Sequence, residues 1–322
     1  MQTPANLMFW ILFVAFVVLM LVLDLGVFNR KARTVSLREA LGWSALWIAL
    51  TAGFAVLLYF HGHRMTGEAA SGNRQLSLEF ITAYLVEEAL SVDNLFLFLL
   101  VFRYFQVPSE LQHKVLFWGI LGAILMRACF IATGVTLLNR FHWITYLFGA
   151  FVVFAGLKLL FQGKEARNPG DSFITRFAGR HLRMTGEFAG SSFTIRQDGV
   201  RYFTKLALVL LVVESTDLIF AVDSIPAVLA VTRQPYIVFT SNVFAILGLR
   251  ALYFALAGLM DLFHLLNYGL AIVLMFVGVK MLAANYFEIP THYALGVIVA
   301  ALAGSVLLSL LTHPAPGATA AQ

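Results

Sequence analysis

Seven acidic residues lie inside long apolar stretches of the sequence, where a charged side chain is costly. An acid at the centre of an isolated membrane helix costs about 2.5–3.5 kcal/mol, so such residues are rare and usually functional. Six of the seven fall into two short segments, at 87–93 and 214–223. The seven are Asp24, Glu87, Glu88, Asp93, Glu214, Asp217 and Asp223. This clustering indicates a shared chemical task, whereas Asp24 is expected at a membrane interface.

The neighbours of these acids also carry oxygen atoms. Carboxylate, amide and hydroxyl oxygens without clustered His or Cys suit hard or borderline cations such as Mg²⁺, Mn²⁺ and Ca²⁺. Acids that share a cavity can also exchange a metal ion for protons. The candidate metal ligands are Glu87, Asp93, Asn94, Glu214, Asp217, Asp223 and Ser224. The secondary candidates are Glu88, Ser91, Asn242, Arg127 and Arg250, and no residue is predicted to be catalytic.

Helical geometry limits how these acids can share one ion. Six residues separate Glu87 from Asp93, which places them about 120° apart in azimuth and about 9 Å apart along a regular helix. The two acids therefore form successive sites, or the helix is broken there. Pro226, three residues after Asp223, supplies a local reason for a break in the second acidic segment.

A structural role for the acids is the alternative, in which they only pair with Arg127 and Arg250 to hold the helices together. Two basic partners cannot neutralise six acids, so some of the acids would still need protons or a cation.

Composition identifies the surroundings of these residues as a membrane. Of the 322 residues, 60% are hydrophobic and 12% are charged, against about 25% charged in soluble domains. One Cys excludes a disulfide scaffold or thiolate metal site, and a net charge of +5 does not indicate nucleic-acid binding. Nine segments are long enough to cross a bilayer, which predicts an all-α polytopic fold with nine transmembrane helices. They are residues 7–27, 37–60, 79–102, 115–138, 142–162, 204–232, 236–258, 262–284 and 291–312.

The basic residues of the loops predict the orientation. Fourteen Lys and Arg fall in loops on one side, against four on the other. The first side is therefore cytoplasmic, with the N-terminus periplasmic and the C-terminus cytoplasmic. In the long cytoplasmic loop, 171–187 is predicted as a short basic helix, and Asp198-Gly199 as the turn of a β-hairpin. The tail, 313–322, is predicted to be disordered.

The chain also resembles itself. The fifth predicted helix matches the eighth at a constant offset of 122 residues, and Glu87 and Asp93 have counterparts in Asp217 and Asp223. The pairs in the fifth and eighth helices are Tyr146–Tyr268, Phe154–Phe276, Gly156–Gly278, Lys158–Lys280 and Leu160–Leu282. Helices 3–5 therefore resemble helices 6–8. Because three spans are an odd number, the second copy enters the membrane from the opposite side, as in transporters with inverted repeats.

This 3+3 inverted repeat divides the chain into five parts. They are two N-terminal helices with a periplasmic loop (1–78), the first repeat (79–162), the basic cytoplasmic loop (163–203), the second repeat (204–284), and a ninth helix with its tail (285–322).

Four motifs carry a resemblance to a known family. They are Glu-Glu-Ala-Leu-Ser-Val-Asp-Asn at 87–94, the run at 214–227 that contains Glu-Ser-Thr-Asp and Asp-Ser-Ile-Pro-Ala, residues 240–251, and His-Leu-Arg-Met-Thr at 181–185. In these motifs, and over nearly the whole chain, the sequence resembles the TerC family of integral membrane proteins, in particular its Alx-like branch. The resemblance implies a manganese exporter of the bacterial inner membrane, related to LysE-type transporters. It carries the family's acids over to Glu87, Asp93, Glu214, Asp217 and Asp223.

Residues and resemblance together predict a secondary transporter that exports Mn²⁺ from the cytoplasm, in exchange for protons. Its partners are the divalent ion, protons and the lipid bilayer, and no organic cofactor, nucleotide or nucleic acid is expected. A divalent-cation channel and a membrane scaffold that recruits partners through the loop at 163–203 are the alternatives. The sequence leaves the oligomeric state undetermined.

Overall fold

The computed structural model describes residues 4–23, 37–67, 72–141, 143–161, 182–197, 199–256, 265–284, 286 and 289–312. Over these residues the chain forms nine α-helices and one two-stranded sheet. The helices are α1 (Pro4–Leu23), α2 (Leu37–Thr66), α3 (Asn73–Tyr104), α4 (Ser109–Arg140), α5 (Ile144–Phe161), α6 (Lys205–Val231), α7 (Pro235–Leu256), α8 (Leu266–Ala283) and α9 (Thr291–Leu311). The strands are β1 (Thr194–Gln197) and β2 (Val200–Phe203). Each helix overlaps one of the nine segments predicted from the apolar runs.

Several of these helices can cross a membrane. Within the described residues, α2, α4, α5, α8 and α9 are long and apolar enough to do so, and α1 and α7 contain shorter apolar stretches. Their outward faces are rich in exposed large apolar side chains, as expected where lipid is the solvent. The chain is therefore a multi-pass membrane protein. The six clustered acids fall in the two remaining helices, α3 and α6.

Helix α3 lies at the centre of the fold and packs against α2, α6, α7 and α9. One side of it is fixed by aromatic stacking, with ring centroids 5.0 Å apart for Phe54 and Phe80 and 5.1 Å apart for Phe54 and Phe244. Such ring pairs contribute about 0.5–1.5 kcal/mol each. Phe80 is seven residues before Glu87, so these ring contacts fix α3 about two turns from that acid.

Both acid-bearing helices are continuous. Helix α3 runs without interruption past Glu87 and Asp93, and α6 continues through Pro226. The break that Pro226 could have caused in α6 is therefore not present. Because α3 is regular, Glu87 and Asp93 belong to different levels and azimuths of the helix, which favours successive sites over a single one.

Glycines allow α4 to approach α6 closely. A Cβ atom added at Gly122 would collide with the Glu214 carboxylate, and one at Gly134 would lie 2.8 Å from Cδ1 of Leu229. Small residues at helix contacts are a common way to pack helices in a membrane, where close van der Waals contact replaces the hydrophobic effect. This close approach brings the middle of α4 against the acids of α6.

The loop between α5 and α6 is described only from residue 182 onward. The predicted hairpin is confirmed: β1 and β2 pair antiparallel, and Gly199 in the turn has a φ of +78°, which glycine adopts without strain. The predicted basic helix at 171–187 is wrong for residues 182–187, because the backbones of Arg183 and Thr185 hydrogen-bond with Phe203 of β2. Residues 171–181 of that prediction, and the tail at 313–322, lie outside the described residues.

Candidate functional site

A buried arginine occupies the middle of the bundle. Arg127 lies near the centre of α4, and its side chain is 1% exposed. It faces Glu87 of α3 and both Asp217 and Ser224 of α6, none of which is more than 4% exposed. Helix α6 packs against both α3 and α4, and the long side chain of Arg127 contacts an acid from each of the two acid-bearing helices. These four residues are called the Arg127 cluster below.

The guanidinium uses most of its donors within this cluster. Its Nη1 forms an ion pair with Oε1 of Glu87. Its Nη2 and Nε donate to the two carboxylate oxygens of Asp217, at 3.2 and 3.4 Å, and Nη1 lies 3.4 Å from Oγ of Ser224. Two parallel N–H···O bonds to one carboxylate are the geometry that arginine favours.

The Arg127 cluster contains more acids than basic partners. Among its side chains, two carboxylates face a single guanidinium, so one negative charge is unbalanced when both are ionised. Buried charges must be paired, protonated or bound to a cation to persist at low dielectric. The cluster can therefore take up a proton or a cation, or it can exchange one for the other.

The other two predicted acids whose side chains the structure describes, Glu214 and Glu88, occupy different positions. Glu214 lies one turn before Asp217 on α6 and packs against α4 at Gly122, where its side chain is half-buried. Glu88 turns away from the Arg127 cluster, as expected for the neighbour of Glu87. It accepts a hydrogen bond from Tyr84 and lies near Gly248 of α7. Glu214 thus adds a third oxygen-bearing side chain to Asp217 and Ser224 along α6, whereas Glu88 belongs to the contact between α3 and α7.

Two buried polar side chains close to these helices lack hydrogen-bond partners. Oγ of Ser91, one turn after Glu87 on α3, and both amide atoms of Asn242 on α7 have no partner, although the two residues are at most 1% exposed. A buried polar group without a partner costs about 1–3 kcal/mol. Because α3 and α7 pack against each other, both side chains belong to the packing around α3, and each has an oxygen atom without a hydrogen bond.

The structure covers part of the predicted ligand set. The side chains of Asp93, Asn94, Asp223 and Arg250 are outside what it describes. Within the described residues, no group of three or more His, Cys, Asp or Glu is placed to hold a metal ion. The described candidates that come together are Glu87, Asp217 and Ser224, and it is Arg127, a secondary candidate, that joins them.

A cavity of about 640 Å³ opens at the end of the bundle where α3 begins and α6 ends, and it is called the end cavity below. Its lining includes the ionisable groups of Glu79, Arg233 and Lys280. Leu229, which also lines it, is five residues beyond Ser224 on α6, or about 7.5 Å along the axis. The end cavity therefore begins about one and a half turns beyond Ser224 along α6, toward the end of that helix.

Glu79 is a residue that sequence reasoning missed. The residue is 8% exposed, and its carboxylate accepts hydrogen bonds from Thr232 at 2.6 Å and from Gln75 at 2.9 Å. It falls at the first residue of a predicted span, where an acid is unremarkable. Glu79 lies eight residues before Glu87, which puts the two acids about 80° apart in azimuth on α3. That spacing is the signal from which its position on the same side of the helix could have been predicted.

Comparison with known proteins gives several relatives along nearly the full length. A protein of Myxococcus xanthus named "Uncharacterized membrane protein STKORF319" is 45% identical over 302 residues, which cover 94% of this chain and 92% of that protein. The Escherichia coli (strain K12) protein named "Putative membrane-bound redox modulator Alx" is 43% identical over 299 residues, 92% of each chain. An "Uncharacterized membrane protein" of Rickettsia felis is 35% identical over 304 residues, 94% of this chain and 98% of that one.

No solved structure matches the chain. The model of the family described as "Integral membrane protein TerC family" matches residues 73–315, which include every helix from α3 to α9. The chain is therefore an Alx-like member of the TerC family of integral membrane proteins.

Proposed function

We propose that this protein is a nine-span secondary transporter that exports Mn²⁺ from the cytoplasm of a bacterium in exchange for protons. The observation that carries the proposal is the Arg127 cluster, in which buried acids of α3 and α6 meet with an unbalanced negative charge. A pure scaffold has no need to bury a net charge, since apolar packing is often as stable as a buried ion pair. Oxygen ligands without clustered imidazole or thiolate favour a hard divalent ion.

The packing of α5 against α8 supports an inverted repeat. A Cβ atom added at Gly278 would lie 2.9 Å from the carbonyl oxygen of Gly149, and one at Gly156 would lie 3.0 Å from that of Ala271. Under the offset of 122 residues, Gly156 matches Gly278 and Gly149 matches Ala271. The two contacts are therefore the same contact with the partners exchanged, as two copies related by a two-fold axis would produce.

The packing of the other repeat helices follows the same rule. Helix α3 packs against α7, and its proposed counterpart α6 packs against α4, the counterpart of α7. Each acid-bearing helix thus contacts the middle helix of the other copy. In transporters of this architecture the substrate lies where the repeats meet, near the middle of the membrane, and Arg127 and Asp217 make such a contact here.

The proposed ion path follows α3 and α6. Glu87, Asp217 and Ser224 meet at Arg127. Asp93 and Asn94 on α3 and Asp223 on α6 are proposed as further ligands along the two helices. Glu214, Ser91 and Asn242 supply further oxygen ligands. With the periplasmic N-terminus that the loop charges predict, the end cavity opens to the periplasm and provides the exit.

The name of the Alx relatives refers to redox chemistry, and the sequence bears on that possibility. A thiol–disulfide cycle within one chain needs two cysteines, and this chain has only Cys129. Cys129 is exposed on α4, on a helix whose buried face carries Arg127. Ion transport therefore accounts for more of the buried polar residues than dithiol chemistry does.

The proposed export is tested by the manganese content of cells grown in excess Mn²⁺. Cells that express the wild-type protein should hold less manganese than cells that lack it, whereas Asp93→Ala and Asp223→Ala should restore the higher level, because each removes a proposed ligand from the ion path. Equal manganese in all four strains, with equal amounts of protein in the membrane, would refute export.

Coupling to protons separates the exchanger from a channel. Protons and Mn²⁺ compete for the same carboxylates, so a gradient that is acidic on the side of the end cavity should drive Mn²⁺ toward that side in proteoliposomes. A channel would pass Mn²⁺ down its own gradient at a rate that an imposed pH gradient does not change. A flux that ignores the pH gradient would therefore replace the exchanger with the channel.

A further inference from the structure

A path for a divalent ion needs carboxylates but no arginine, yet Arg127 contacts three of the predicted ligands. We infer that Arg127 is a resident counter-cation that competes with the transported divalent ion for Glu87 and Asp217, so that the ion binds only after the guanidinium has left. The inference rests on the proposed function, because it assigns a role in exchange to a residue of the same site.

The guanidinium occupies the positions that an ion would need. It contacts both carboxylates and the hydroxyl of Ser224, which are three of the predicted ligands. Arginine presents only N–H donors and has no free lone pair, so it cannot itself coordinate a metal. An ion bound directly between Glu87 and Asp217 would lie beside the positive charge of this guanidinium, and the two cations would repel each other at close range.

The charge of the cluster leads to the same conclusion. Glu87 and Asp217 together carry two negative charges, which one divalent ion balances completely. If Arg127 remained beside that ion, the buried site would carry an unbalanced positive charge, which a low-dielectric interior strongly disfavours. Arg127 and the ion therefore alternate.

A second position for the guanidinium is available on the same helix face. Glu214 lies one turn, about 4.5 Å along the axis, before Asp217 on α6. Its half-buried carboxylate packs against α4 at Gly122, five residues before Arg127. Glu214 is therefore the next carboxylate along α6 that faces α4, and in the proposed cycle Arg127 pairs with it when an ion takes Asp217.

A resident cation serves the return step of an exchange cycle. Without metal, the two carboxylates need other partners in the protein interior as the repeats move, and a proton on one with Arg127 beside the other meets this need. Arg127 neutralises one of them and bridges α3 and α6 in that state. Its loss should therefore leave a site that binds the ion more tightly but releases and resets slowly.

This role is tested by two measurements on the full-length, detergent-purified protein and on the same protein in proteoliposomes. Binding of Mn²⁺ is followed through the electron paramagnetic resonance signal of the free ion. Arg127→Gln should bind Mn²⁺ about tenfold more tightly, because affinity at oxygen sites follows net ligand charge, and should lose most of its exchange. Arg127→Lys should be intermediate, because lysine keeps the charge and loses the bidentate geometry. Arg140→Gln, an exposed change on the same helix, should match the wild type in both measurements.

Weaker or unchanged Mn²⁺ binding by folded Arg127→Gln would overturn the inference, since an arginine that only holds helices together would lower binding and exchange alike. If Arg127→Gln yields no folded protein, Arg127→Lys provides the same test. Tighter Mn²⁺ binding by Arg127→Lys than by the wild type would support the inference, and unchanged or weaker binding would overturn it. Wild-type export with no gain in affinity in either variant would refute this inference and leave the proposed function intact. A third outcome is that the wild-type protein binds Mn²⁺ but does not transport it, while the variants bind Mn²⁺ more tightly. That outcome would refute export and support competition between Arg127 and the ion.

Discussion

Replacement of Asp217 by asparagine is expected to abolish Mn²⁺ exchange while the protein remains folded. Asn keeps the shape of Asp and an oxygen that can accept the hydrogen bond from Nη2 of Arg127, which is 3.2 Å from Asp217 in the wild type. Arg127 then balances Glu87 fully, and the excess negative charge that attracts a divalent ion is gone. The resulting loss of Mn²⁺ affinity is at least about a hundredfold, or about 2.8 kcal/mol.

The loss of exchange is measured as the flux of Mn²⁺ into or out of proteoliposomes at equal protein content. Glu110→Gln is the matched control, because it removes one acid from the exposed start of α4 and should leave flux unchanged. Thermal unfolding should give nearly the same transition for Asp217→Asn, for Glu110→Gln and for the wild type. Flux through Asp217→Asn at the wild-type rate would remove the Arg127 cluster from the ion path.

The helices could be predicted from the sequence because each apolar run is long, and a bilayer offers few alternatives to a helix. The hairpin between α5 and α6 was predictable for a local reason, since Gly199 can adopt the positive φ that its turn requires. The basic helix at 171–187 failed at its end for a nonlocal reason. The backbones of Arg183 and Thr185 pair with Phe203, about 20 residues further along the chain, and this tertiary pairing outweighs local helical periodicity.

The acids of the site could be predicted as a group, but their partners could not. The same six-residue spacing in both acidic segments indicates that Glu87 and Asp217 are equivalent. Whether such acids face an ion or an arginine depends on how α4 packs against α6, and the contact between Arg127 and Asp217 joins residues 90 positions apart. Sequence reasoning kept both possibilities, and the structure places Arg127 between the two acids.

The end cavity was beyond prediction because its charged residues are common at helix ends. Glu79, Arg233 and Lys280 come from three different helices or turns, and each is ordinary at a membrane interface. Only the packing of α3, α6 and α8 reveals that they share one space. A cavity that depends on three distant segments carries no local signature.

Close packing of α5 against α8 predicts a large loss of stability when a side chain is added between them. In Gly278→Val, the new Cβ would lie 2.8 Å from the backbone nitrogen of Val153 and 2.9 Å from the carbonyl oxygen of Gly149. Backbone atoms cannot move aside as a flexible side chain would, so the two helices must separate. We expect the free energy of unfolding to fall by about 3 kcal/mol, at the upper end of the usual cost of overpacking.

The counterpart change, Gly156→Val, should have a similar cost, because its Cβ would lie 3.0 Å from both the carbonyl oxygen of Ala271 and the backbone nitrogen of Met275. Thermal unfolding of the detergent-purified variants measures both effects. Gly296→Val on α9 is the matched control, since nothing lies within 4 Å of an added Cβ there. Similar losses in the first two variants, with none in the control, are expected of a contact that is repeated about a two-fold axis. A loss in only one of the two would argue that the matching residues of α5 and α8 are not related by such an axis.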